Sequence, residues 1–479
     1  MIIATEHSEN MNMVRVRNTI PEYDLIVIGS GPAGQKAALA ASKGRFHVAL
    51  VERREVVGGA CLHTGTIPSK TLRAAVLYFI GHGQHGIYGE SYRIKDRITS
   101  EDLTQRVNYV IRSEMDVISD QMKRNGVDMY FGEAHFANSN EIVVKSEVSG
   151  ETRLQGKKFI IAVGTRPVRP DSVPFTRQRI IDSDEILKLE TIPRRMTVVG
   201  GGVIGSEYAS IYAALGVEVI LIDRRDRLLE FVDGEIIDHL VYHMRAANVT
   251  LRLGEEVSRV FIDDRDQVIT ELESGKRIIS DTLLYSIGRE GATDGLNLEA
   301  VNLKTDVKGR LKVGETYQTE VEKIYAVGDV IGFPSLASTS MAQGRLAACH
   351  ALGMEHEAFS SLFPFGIYTI PEISMVGQTE EQLTVAKVPY EFGLAHYGEL
   401  AKGQMLGDES GMLKLLFHRN TRVLLGVHGI GDQATEIIHI GQAVMAHGGS
   451  IDYFINSVFN YPTLAEAYQV AALDGLNKL

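Results

Sequence analysis

Two glycine-rich turns constrain the fold of this 479-residue chain more than any other feature. Both have the spacing Gly-x-Gly-x-x-Gly, at Gly29/Gly31/Gly34 and at Gly200/Gly202/Gly205. A short run of apolar residues precedes each turn, and an alanine-rich segment with helical spacing follows it. A strand that passes through such a turn into a helix opens a dinucleotide-binding βαβ unit. We therefore predict two such units.

The three glycines of each turn have different tasks. The first permits the tight turn, the second lets the backbone approach a pyrophosphate, and the third lets the helix pack closely on the strand. The helix then points the positive end of its dipole at the phosphates. An acid follows the third glycine by 18 residues in both units, as Glu52 and as Asp223. Because such a carboxylate can accept hydrogen bonds from a ribose diol, both units are predicted to bind a dinucleotide.

The same glycine spacing occurs a third time, at Gly81/Gly83/Gly86. With 47 glycines in the chain, about half a match is expected by chance, so the context must decide. An apolar run at 76–80 precedes this match, but no helix pattern follows it, and the residue 18 positions after its last glycine is Thr104. We interpret this match as a turn after a helix and not as a nucleotide site.

Two arginines follow the acid of the second unit, in the order Asp223-Arg224-Arg225. An aspartate suits the free 2′-hydroxyl of NAD, whereas arginine suits the 2′-phosphate of NADP. Both features together predict that the second site tolerates either nucleotide. The alternative is that the arginines form a solvated run of charge at the end of a strand.

Strands that alternate with helices predict a doubly wound, mainly parallel sheet in each unit. Beyond 363–366 the pattern changes to strands followed by a helix, which indicates a third domain of α+β type. The predicted fold class is therefore α/β, with two Rossmann-like dinucleotide-binding domains and a C-terminal α+β domain. The predicted boundaries are 1–20 for a polar extension, 21–170 with 292–358 for the first domain, 171–291 for the second and 359–479 for the third.

Charge and composition exclude several classes of function. The net charge is −12, and nucleic acid binding needs a basic surface, so no nucleic acid partner is expected. No apolar run reaches about 18 residues, so no membrane span is expected. The first twenty residues have no apolar signal-peptide core. Two cysteines give no disulfide framework and fit a reducing cytoplasm, which is the predicted location.

A segment shortly after Glu52 makes the sequence recognisable. It reads Gly58-Gly59-Ala60-Cys61-Leu62-His63-Thr64-Gly65-Thr66-Ile67-Pro68-Ser69-Lys70. This segment resembles the redox-active loop of the class I pyridine nucleotide–disulfide oxidoreductases. Three other segments match the family in order: Ala162-Val163-Gly164, Tyr325-Ala326-Val327-Gly328-Asp329 and Tyr368-Thr369-Ile370-Pro371-Glu372. The resemblance extends from about Tyr23 to the C-terminus.

The resemblance implies one non-covalent FAD per subunit on the first site, and NAD(H) and NADP(H) as exchanging substrates on the second. It also implies a homodimer, or a higher oligomer, with the third domain as the dimerisation interface. The resemblance and the glycine motifs together assign cofactor binding to Gly29, Gly31, Gly34, Glu52, Arg53, Gly58, Gly59, Cys61, Thr66, Lys70, Gly164, Gly200, Gly202, Gly205, Asp223, Arg224, Arg225, Gly288 and Asp329.

The chain departs from the disulfide-reducing pattern of that family at two positions. The family's redox loop carries Cys-x-x-x-x-Cys, but here Thr66 occupies the second position, so Cys61 has no partner for an intrachain disulfide. The family also carries a histidine and, five residues later, a glutamate near the C-terminus. Here these positions hold Tyr461 and Glu466. A phenol has a reference pKa near 10 against about 6.5 for imidazole, so it cannot cycle protons to a thiolate at neutral pH.

Loss of the disulfide half-reaction leaves hydride transfer from nicotinamide to flavin. In this respect, and in the segments 65–70, 331–337 and 459–463, the chain resembles the soluble pyridine nucleotide transhydrogenase branch of the superfamily. The resemblance implies FAD-dependent hydride transfer between NADPH and NAD⁺. In the family the residues that match Lys70 and Glu207 pair close to the flavin. The candidate catalytic residues are Lys70, Glu207, Tyr461 and Glu466.

Two other functions use the same residues and stay open at this point. One is a flavin reductase of the NAD(P)H:quinone or diaphorase type, and the other is a nucleotide-binding redox sensor or interaction subunit without significant turnover. Cys349 lies in an alanine-rich helical pattern and is predicted to be inert core. The C-terminal histidines at 428, 439 and 447 have no clean metal-ligand spacing, so no metal is expected.

Overall fold

The structure is a computed structural model that describes residues 20–84, 88–89, 92–357 and 361–479. Apart from its last residue, the predicted extension at 1–20 lies outside these ranges, and so does Gly86 of the third glycine match.

The first part of the chain forms a sheet whose central strands are buried and almost wholly apolar, as parallel strands covered on both faces require. The strands of this part that belong to the sheet are β1 (Glu22–Ile28), β2 (Val48–Glu52), β3 (Asp128–Phe131), β4 (Glu133–Asn138), β5 (Glu141–Ser146) and β6 (Gly150–Ile161). A further short strand, β7 (Thr165–Pro167), follows outside this sheet. The helices of this part are α1 (Pro32–Lys43), α2 (Gly59–His63), α3 (Thr66–Ile80) and α4 (Ser100–Arg124). Helix α1 opens on a proline, whose missing N–H costs nothing at a helix start.

The second part repeats the same succession of elements. Its strands are β8 (Ile180–Asp182), β9 (Arg195–Val199), β10 (Glu218–Asp223), β11 (Val249–Leu253), β12 (Val257–Ile262), β13 (Val268–Leu272), β14 (Arg277–Ser280), β15 (Thr282–Tyr285) and β16 (Arg289–Gly291). Its helices are α5 (Val203–Ala214) and α6 (Gly234–Ala246).

The last part first returns to the first sheet and then builds a sheet of its own. Its strands are β17 (Ile324–Ala326), β18 (Phe365–Ile367), β19 (Ile373–Gly377), β20 (Tyr390–His396), β21 (Met412–His418) and β22 (Leu424–Ile430). Its helices are α7 (Ala337–Ala351), α8 (Glu380–Val385), α9 (Ala401–Leu406), α10 (Ala434–Ala446), α11 (Asp452–Asn456) and α12 (Glu466–Leu476). Short 3₁₀ turns occupy Ile186–Lys188, Leu298–Val301, Gly328–Ile331 and Tyr397–Glu399.

The first sheet has the strand order β3-β2-β1-β6, with β17 on the far side of β6. Strand β6 pairs in two ways within this sheet. Its first half pairs antiparallel with β5, and its second half pairs parallel with β1 and β17. Helices α1 and α7 cross closely at Gly344. A Cβ at this position would lie 2.0 Å from the carbonyl oxygen of Ala33, so only glycine permits the approach. Strand β17 and helix α7, about 300 residues after β1, thus complete the first domain.

The second sheet is parallel, with the order β11-β10-β9-β15-β8, and an antiparallel sheet β12-β13-β14 branches from it. The third sheet is antiparallel, with the order β18-β19-β22-β21-β20. The antiparallel pair β7 and β16 connects the first two domains. These sheets confirm the predicted class of two Rossmann-like domains and an α+β domain. The predicted domain boundaries stay predictions, and the one at 358/359 lies outside the described residues.

One local expectation differs from the structure. The apolar run at 323–330 predicts a single strand, but β17 ends at Ala326, and Gly328, with a φ of +79°, starts a 3₁₀ turn. The apolar run before the third glycine match forms the end of α3, in agreement with the prediction of a turn after a helix. Gly81 caps that helix in the left-handed region at φ +66°, as predicted for a turn after a helix.

Candidate active site

The turn between β1 and α1 leaves a space that the protein does not fill. Gly29 has a φ of +107°, and a Cβ there would lie 2.4 Å from the carbonyl oxygen of Ala162. A Cβ on Gly34 would lie 1.8 Å from the carbonyl oxygen of Gly29. A Cβ on Gly31, in contrast, would meet no described atom within 4 Å. The first and third glycines are therefore required by the chain itself, whereas the second leaves room for a ligand such as a pyrophosphate.

Glu52, at the end of β2, is held against this turn. Its Oε2 accepts hydrogen bonds from the amide of Ser30 at 3.0 Å and from the Ser30 hydroxyl at 2.5 Å. Its Oε1 accepts one from the amide of Arg54 at 3.0 Å. The Ser30 hydroxyl also accepts a hydrogen bond from the amide of Gly58 at 3.0 Å. A carboxylate has about four acceptor positions, so within the described part of the chain one position on Glu52 stays open.

The turn between β9 and α5 has nearly the same geometry. Gly200 has a φ of +104°, and a Cβ there would lie 2.5 Å from the carbonyl oxygen of Ser286. A Cβ on Gly205 would lie 1.8 Å from the carbonyl oxygen of Gly200, and a Cβ on Gly202 would meet no described atom within 4 Å. This turn therefore also leaves room for a pyrophosphate in front of the helix.

Asp223, at the end of β10, is held by an arginine. Its Oδ2 accepts from the amide of Gly201 at 2.5 Å and from Nη2 of Arg225 at 2.7 Å. Its Oδ1 accepts from the amide of Arg225 at 2.8 Å and from Nε of Arg225 at 2.9 Å. Burial raises the pKa of this carboxyl, but the hydrogen bonds from Arg225 and Gly201 outweigh it and hold the pKa below its usual value. Arg224 is exposed and has no such partner among the described residues.

The segment after Glu52 folds onto the first turn. Gly58 and Gly59 have φ of +117° and +62°, and a Cβ on Gly59 would lie 2.8 Å from the Cα of Gly31. Cys61 follows on α2, and Thr66 begins α3. Burial raises the pKa of the Cys61 thiol, although the Thr66 side chain hydrogen-bonds to it. Among the described residues both cysteines are free.

Asp329 lies in the 3₁₀ turn after β17, and its charge contributes to raising the pKa of the Cys61 thiol. Burial raises the pKa of this carboxyl, while the Arg289 guanidinium and the hydroxyls of Thr165 and Ser340 act in the opposite direction.

Lys70 and Glu207 form an ion pair across two domains. Nζ of Lys70, on α3, lies 2.6 Å from Oε2 of Glu207, on α5. The Glu207 side chain is 4% exposed and that of Lys70 is 25% exposed. Oε1 of Glu207 accepts a hydrogen bond from the amide of Tyr368 at 2.8 Å, and Nζ of Lys70 lies 4.9 Å from the centroid of the Tyr368 ring. The predicted pair is therefore present, and a residue of the third domain supports it.

A second set of contacts joins α3, α5 and the segment 368–372, and it was not predicted from the sequence. Arg73, one turn after Lys70 on α3, donates from Nε to the carbonyl oxygen of Thr369 at 2.9 Å and pairs with Glu372 at 3.0 Å. The amide of Ile370 donates to the hydroxyl of Ser210, one turn after Glu207 on α5, at 3.1 Å. The helical spacing of Arg73 from Lys70 was the available signal.

Tyr461 and Glu466 lie apart from this pair. Tyr461 is 73% exposed, and nearby Val458 is fully exposed. Oε2 of Glu466 is buried without a hydrogen-bond partner in the described part of the chain. No hydrogen bond or ion pair joins these two residues to Lys70 or Glu207 within the described ranges. The structure of one chain thus brings together only half of the four candidate catalytic residues.

The remaining predicted residues occupy turns at the rims of the two sites. Gly164 and Gly288 have φ of +68° and +146°, and a Cβ on either would meet no described atom within 4 Å. Arg53 is exposed. Cys349 is buried in α7, as predicted.

One acidic cluster lies away from both turns. Asp233, Glu235 and Glu380 have carboxylate oxygens within 4.8 Å of one another. The fully buried Lys414 forms ion pairs with all three, at 3.0 Å to Asp233 and 2.9 Å to Glu235. The single ammonium group offsets one of the three negative charges and ties α6 to β21 and α8. His428, also buried, donates from Nε2 to the carbonyl oxygen of Gln378 at 2.9 Å, and burial lowers its pKa.

Comparison with known families and proteins supports the same interpretation of the fold. Residues 23–344 match the family model described as pyridine nucleotide-disulphide oxidoreductase, and residues 363–472 match the dimerisation domain of that family. Within the described ranges, no helix has both the length and the apolar character that a membrane span requires.

Three relatives are named soluble pyridine nucleotide transhydrogenase. The protein of Mycobacterium bovis (strain BCG / Pasteur 1173P2) is 52% identical over 96% of this chain and 98% of that relative. The proteins of Aliivibrio fischeri and Colwellia psychrerythraea are 47% and 46% identical, over 98% and 96% of this chain and 99% of each relative.

Solved structures show the same fold. The HOCl-induced flavoprotein disulfide reductase RclA from Escherichia coli superposes with a TM-score of 0.84 at 25% identity, over 94% of this chain and 99% of RclA. LpdA from Mycobacterium tuberculosis superposes with a TM-score of 0.86 at 24% identity, over 95% and 99%. Two glycine turns on two parallel sheets, a dimerisation-type third domain and relatives of nearly full length therefore agree: the chain belongs to the pyridine nucleotide-disulphide oxidoreductase family.

Proposed function

We propose that this chain is an NAD(P)⁺ transhydrogenase that uses FAD to transfer hydride between NADPH and NAD⁺. The observation that carries the proposal is the pairing of Lys70 with Glu207, because it joins the helix after the redox segment to the helix after the second glycine turn. The name shared by the 46–52% identical relatives supports it. Nothing in the geometry favours a quinone acceptor over a second nucleotide.

The first glycine turn fits FAD, because the space at Gly31 is left by the protein and the open acceptor position of Glu52 suits a ribose hydroxyl. Gly58, Gly59 and Asp329 would border the same cofactor. When bound, the flavin supplies reversible acceptance of a hydride. The second turn would bind NAD(H) and NADP(H) in alternation, each leaving before the other enters.

The protein's own contribution is position and electrostatics. Lys70 holds a positive charge where the first and second domains meet, and Glu207 fixes the direction of its side chain. A fixed cation stabilises negative charge that develops next to it during a reaction. Tyr368 and the Arg73–Glu372 pair keep this arrangement in place from the third domain.

Chemistry through a disulfide is not part of the proposal. Thr66 stands where a second thiol would be needed, and Cys61 is a thiol whose pKa burial raises. Tyr461 replaces the histidine base. The same substitutions would leave direct transfer between nucleotides intact, because that reaction needs only positioned rings.

One experiment tests the proposal directly. NADPH added without oxygen to purified protein should bleach the flavin absorption band in a stopped-flow instrument, and subsequent NAD⁺ should restore it. Restoration by quinones but not by NAD⁺ would point to a quinone reductase. Protein whose flavin does not bleach would favour a redox sensor.

We further propose that the functional unit is a homodimer. The dimerisation domain model supports self-association, and the exposed Tyr461 and Val458 offer an apolar surface on the third domain. The exposed segment around Tyr461 would then reach the flavin site of the second subunit. A fully active monomer in analytical ultracentrifugation at assay concentration would contradict this. The cytoplasmic location stays a prediction.

A further inference from the structure

The carboxylate of Asp223, the acid of the second site, is fully engaged by hydrogen bonds from its own chain. Four N–H groups point at the Asp223 carboxylate: the amides of Gly201 and Arg225, and Nε and Nη2 of Arg225. Since a carboxylate offers about four acceptor positions, none is left for a ribose hydroxyl unless the guanidinium withdraws. The Asp223 side chain is only 5% exposed, so water does not screen its charge well.

The first site shows that this closure is not a requirement of the turn. Glu52 sits at the equivalent place and receives hydrogen bonds from Ser30 and from the amide of Arg54, but from no guanidinium among the described residues. Arg53 and Arg54 are both exposed. The guanidinium on the acid is thus specific to the second site.

We propose that Arg225 is an internal counter-ion that neutralises Asp223, so that one site accepts nucleotides with and without a 2′-phosphate. The inference rests on the proposed use of both NADPH and NAD⁺. A buried, unneutralised carboxylate would repel a dianionic phosphate on the adjacent ribose. With Arg225 in place, the repulsion is cancelled, and the guanidinium can give up part of its contact when a ribose diol donates to Asp223.

The two neighbouring arginines then have different roles. Arg224 is exposed and has no partner in the described structure, so it is free to contact a 2′-phosphate directly. Arg225 acts through Asp223 and is a positioning residue for the charge of that acid. The two roles predict different additivity with a substitution at Asp223. The loss of affinity on removing Arg224, a direct contact, should be the same with or without the Asp223 charge, whereas the loss on removing Arg225, a counter-ion, should require that charge.

The test uses flavin-loaded protein, whose first site is filled, and isothermal titration calorimetry with adenosine 2′,5′-bisphosphate and with AMP. The Arg225→Met variant should bind the bisphosphate about 10- to 100-fold more weakly, because the unneutralised Asp223 carboxylate then repels the 2′-phosphate, and it should bind AMP within about threefold of wild type. Adding Asp223→Asn to Arg225→Met should restore bisphosphate binding to within about fivefold of wild type. The Arg224→Met variant should weaken the bisphosphate equally with Asp223 or with Asn at position 223.

Arg227→Met is the matched control, because it removes the same charge two residues further on, where Arg227 faces Glu381 at 3.6 Å. Arg227→Met should change the dissociation constants of the bisphosphate and of AMP by less than about threefold, since the pair of Arg227 with Glu381 is exposed and screened by water. Thermal unfolding with bound flavin reports whether each variant keeps its fold.

The inference would be overturned if Arg225→Met weakened bisphosphate binding equally in the wild type and in the Asp223→Asn variant, because Arg225 would then be a direct phosphate contact. No loss in the single variant would overturn it as well. Either result with normal bleaching of the flavin by NADPH leaves the proposed function standing. Failure of wild-type holoprotein to bind either ligand would instead remove the nucleotide site and the proposed function with it.

Discussion

The turn at 29–34 and the turn at 200–205 have the same shape in different surroundings. In both, the first glycine has a φ just above +100°, the third would collide with the first, and the second faces open space. The first turn is covered by the segment around Gly58 and Gly59 and linked to it through Ser30. The second has Gly201 where the first has Ser30, and no such link is present among the residues that the structure describes.

The acids differ in the same sense. Glu52 is held by a serine hydroxyl and two amides, whereas Asp223 is held by the guanidinium of Arg225. One backbone design therefore serves two kinds of ligand. A covered turn with an open acid position suits a cofactor that stays, and an uncovered turn with an adaptable acid suits a substrate that leaves.

The largest expected effect concerns what the turns share. Gly34→Ala and Gly205→Ala each place a Cβ 1.8 Å from a backbone carbonyl oxygen, which no side-chain rotation relieves. We expect each to lower the free energy of unfolding by at least about 3 kcal/mol, the upper range for overpacking. Urea unfolding followed by circular dichroism measures this. Gly31→Ala and Gly202→Ala, which meet no atom within 4 Å, are the controls and should stay within about 1 kcal/mol of wild type.

The next effect separates the turns by ligand. Gly31→Leu should give a folded protein that releases no flavin on denaturation, because the side chain takes the space of the pyrophosphate. Gly202→Leu should keep its flavin but bind NADPH about 100-fold more weakly, a loss of ~2.7 kcal/mol. Flavin absorbance and NADPH titration measure the two outcomes. If Gly202→Leu lost its flavin and Gly31→Leu kept it, the assignment of the two ligands would be reversed.

A third effect tests whether the two sites share one reaction centre. Lys70→Met removes the cation that bridges them and should slow reduction of the flavin by NADPH about 100-fold, with NADPH affinity within a few-fold. Stopped-flow bleaching at saturating NADPH measures the rate. Lys157→Met removes a lysine that also forms an ion pair, with Asp24 at 2.8 Å on the surface, and should leave the rate unchanged. Equal rates for Lys70→Met and wild type would exclude an electrostatic role for Lys70.

The parts that the sequence predicted are local. Glycine spacing, apolar strands and an acid at a constant distance identify both βαβ units, because a strand, its turn and its helix lie within about thirty residues. The Lys70–Glu207 pair joins two domains, and it was accessible only because the chain resembles a family in which that pair is present.

The parts that the sequence did not predict depend on how side chains pack. Arg73 reaches Thr369 across 296 positions, a contact that exists only because three domains meet there. Arg225 was expected to face a ligand phosphate, but its side chain turns back onto Asp223, two residues away. Local spacing permits either orientation, and the buried charge of the acid decides between them.

The smallest expected effect concerns the segment that covers only the first turn. Cys61 lies on α2 beside that turn, and burial raises the pKa of its thiol, so at pH 7 less of it is thiolate than for a free cysteine. Iodoacetamide should therefore modify Cys61 more slowly than it modifies free cysteine, and faster as the pH rises. Mass spectrometry of alkylated protein over pH 7 to about 9 measures this, with buried Cys349 as the internal reference.

Because hydride passes between nucleotides without sulfur in the proposed reaction, Cys61→Ser should keep transhydrogenase turnover within a few-fold, a change of about 1 kcal/mol or less in the barrier. Thr66→Cys could form a disulfide with Cys61, but Tyr461 would still provide no base for the thiolate, so neither variant should reduce glutathione disulfide efficiently. A loss of nucleotide-to-nucleotide transfer by about 10³-fold in Cys61→Ser, with flavin still bound, would make the thiol an obligatory redox partner. In that case the segment that covers the turn at 29–34 would take part in the chemistry. The cover would then do more than retain the cofactor, and the difference between the two turns could not be explained by ligand exchange alone.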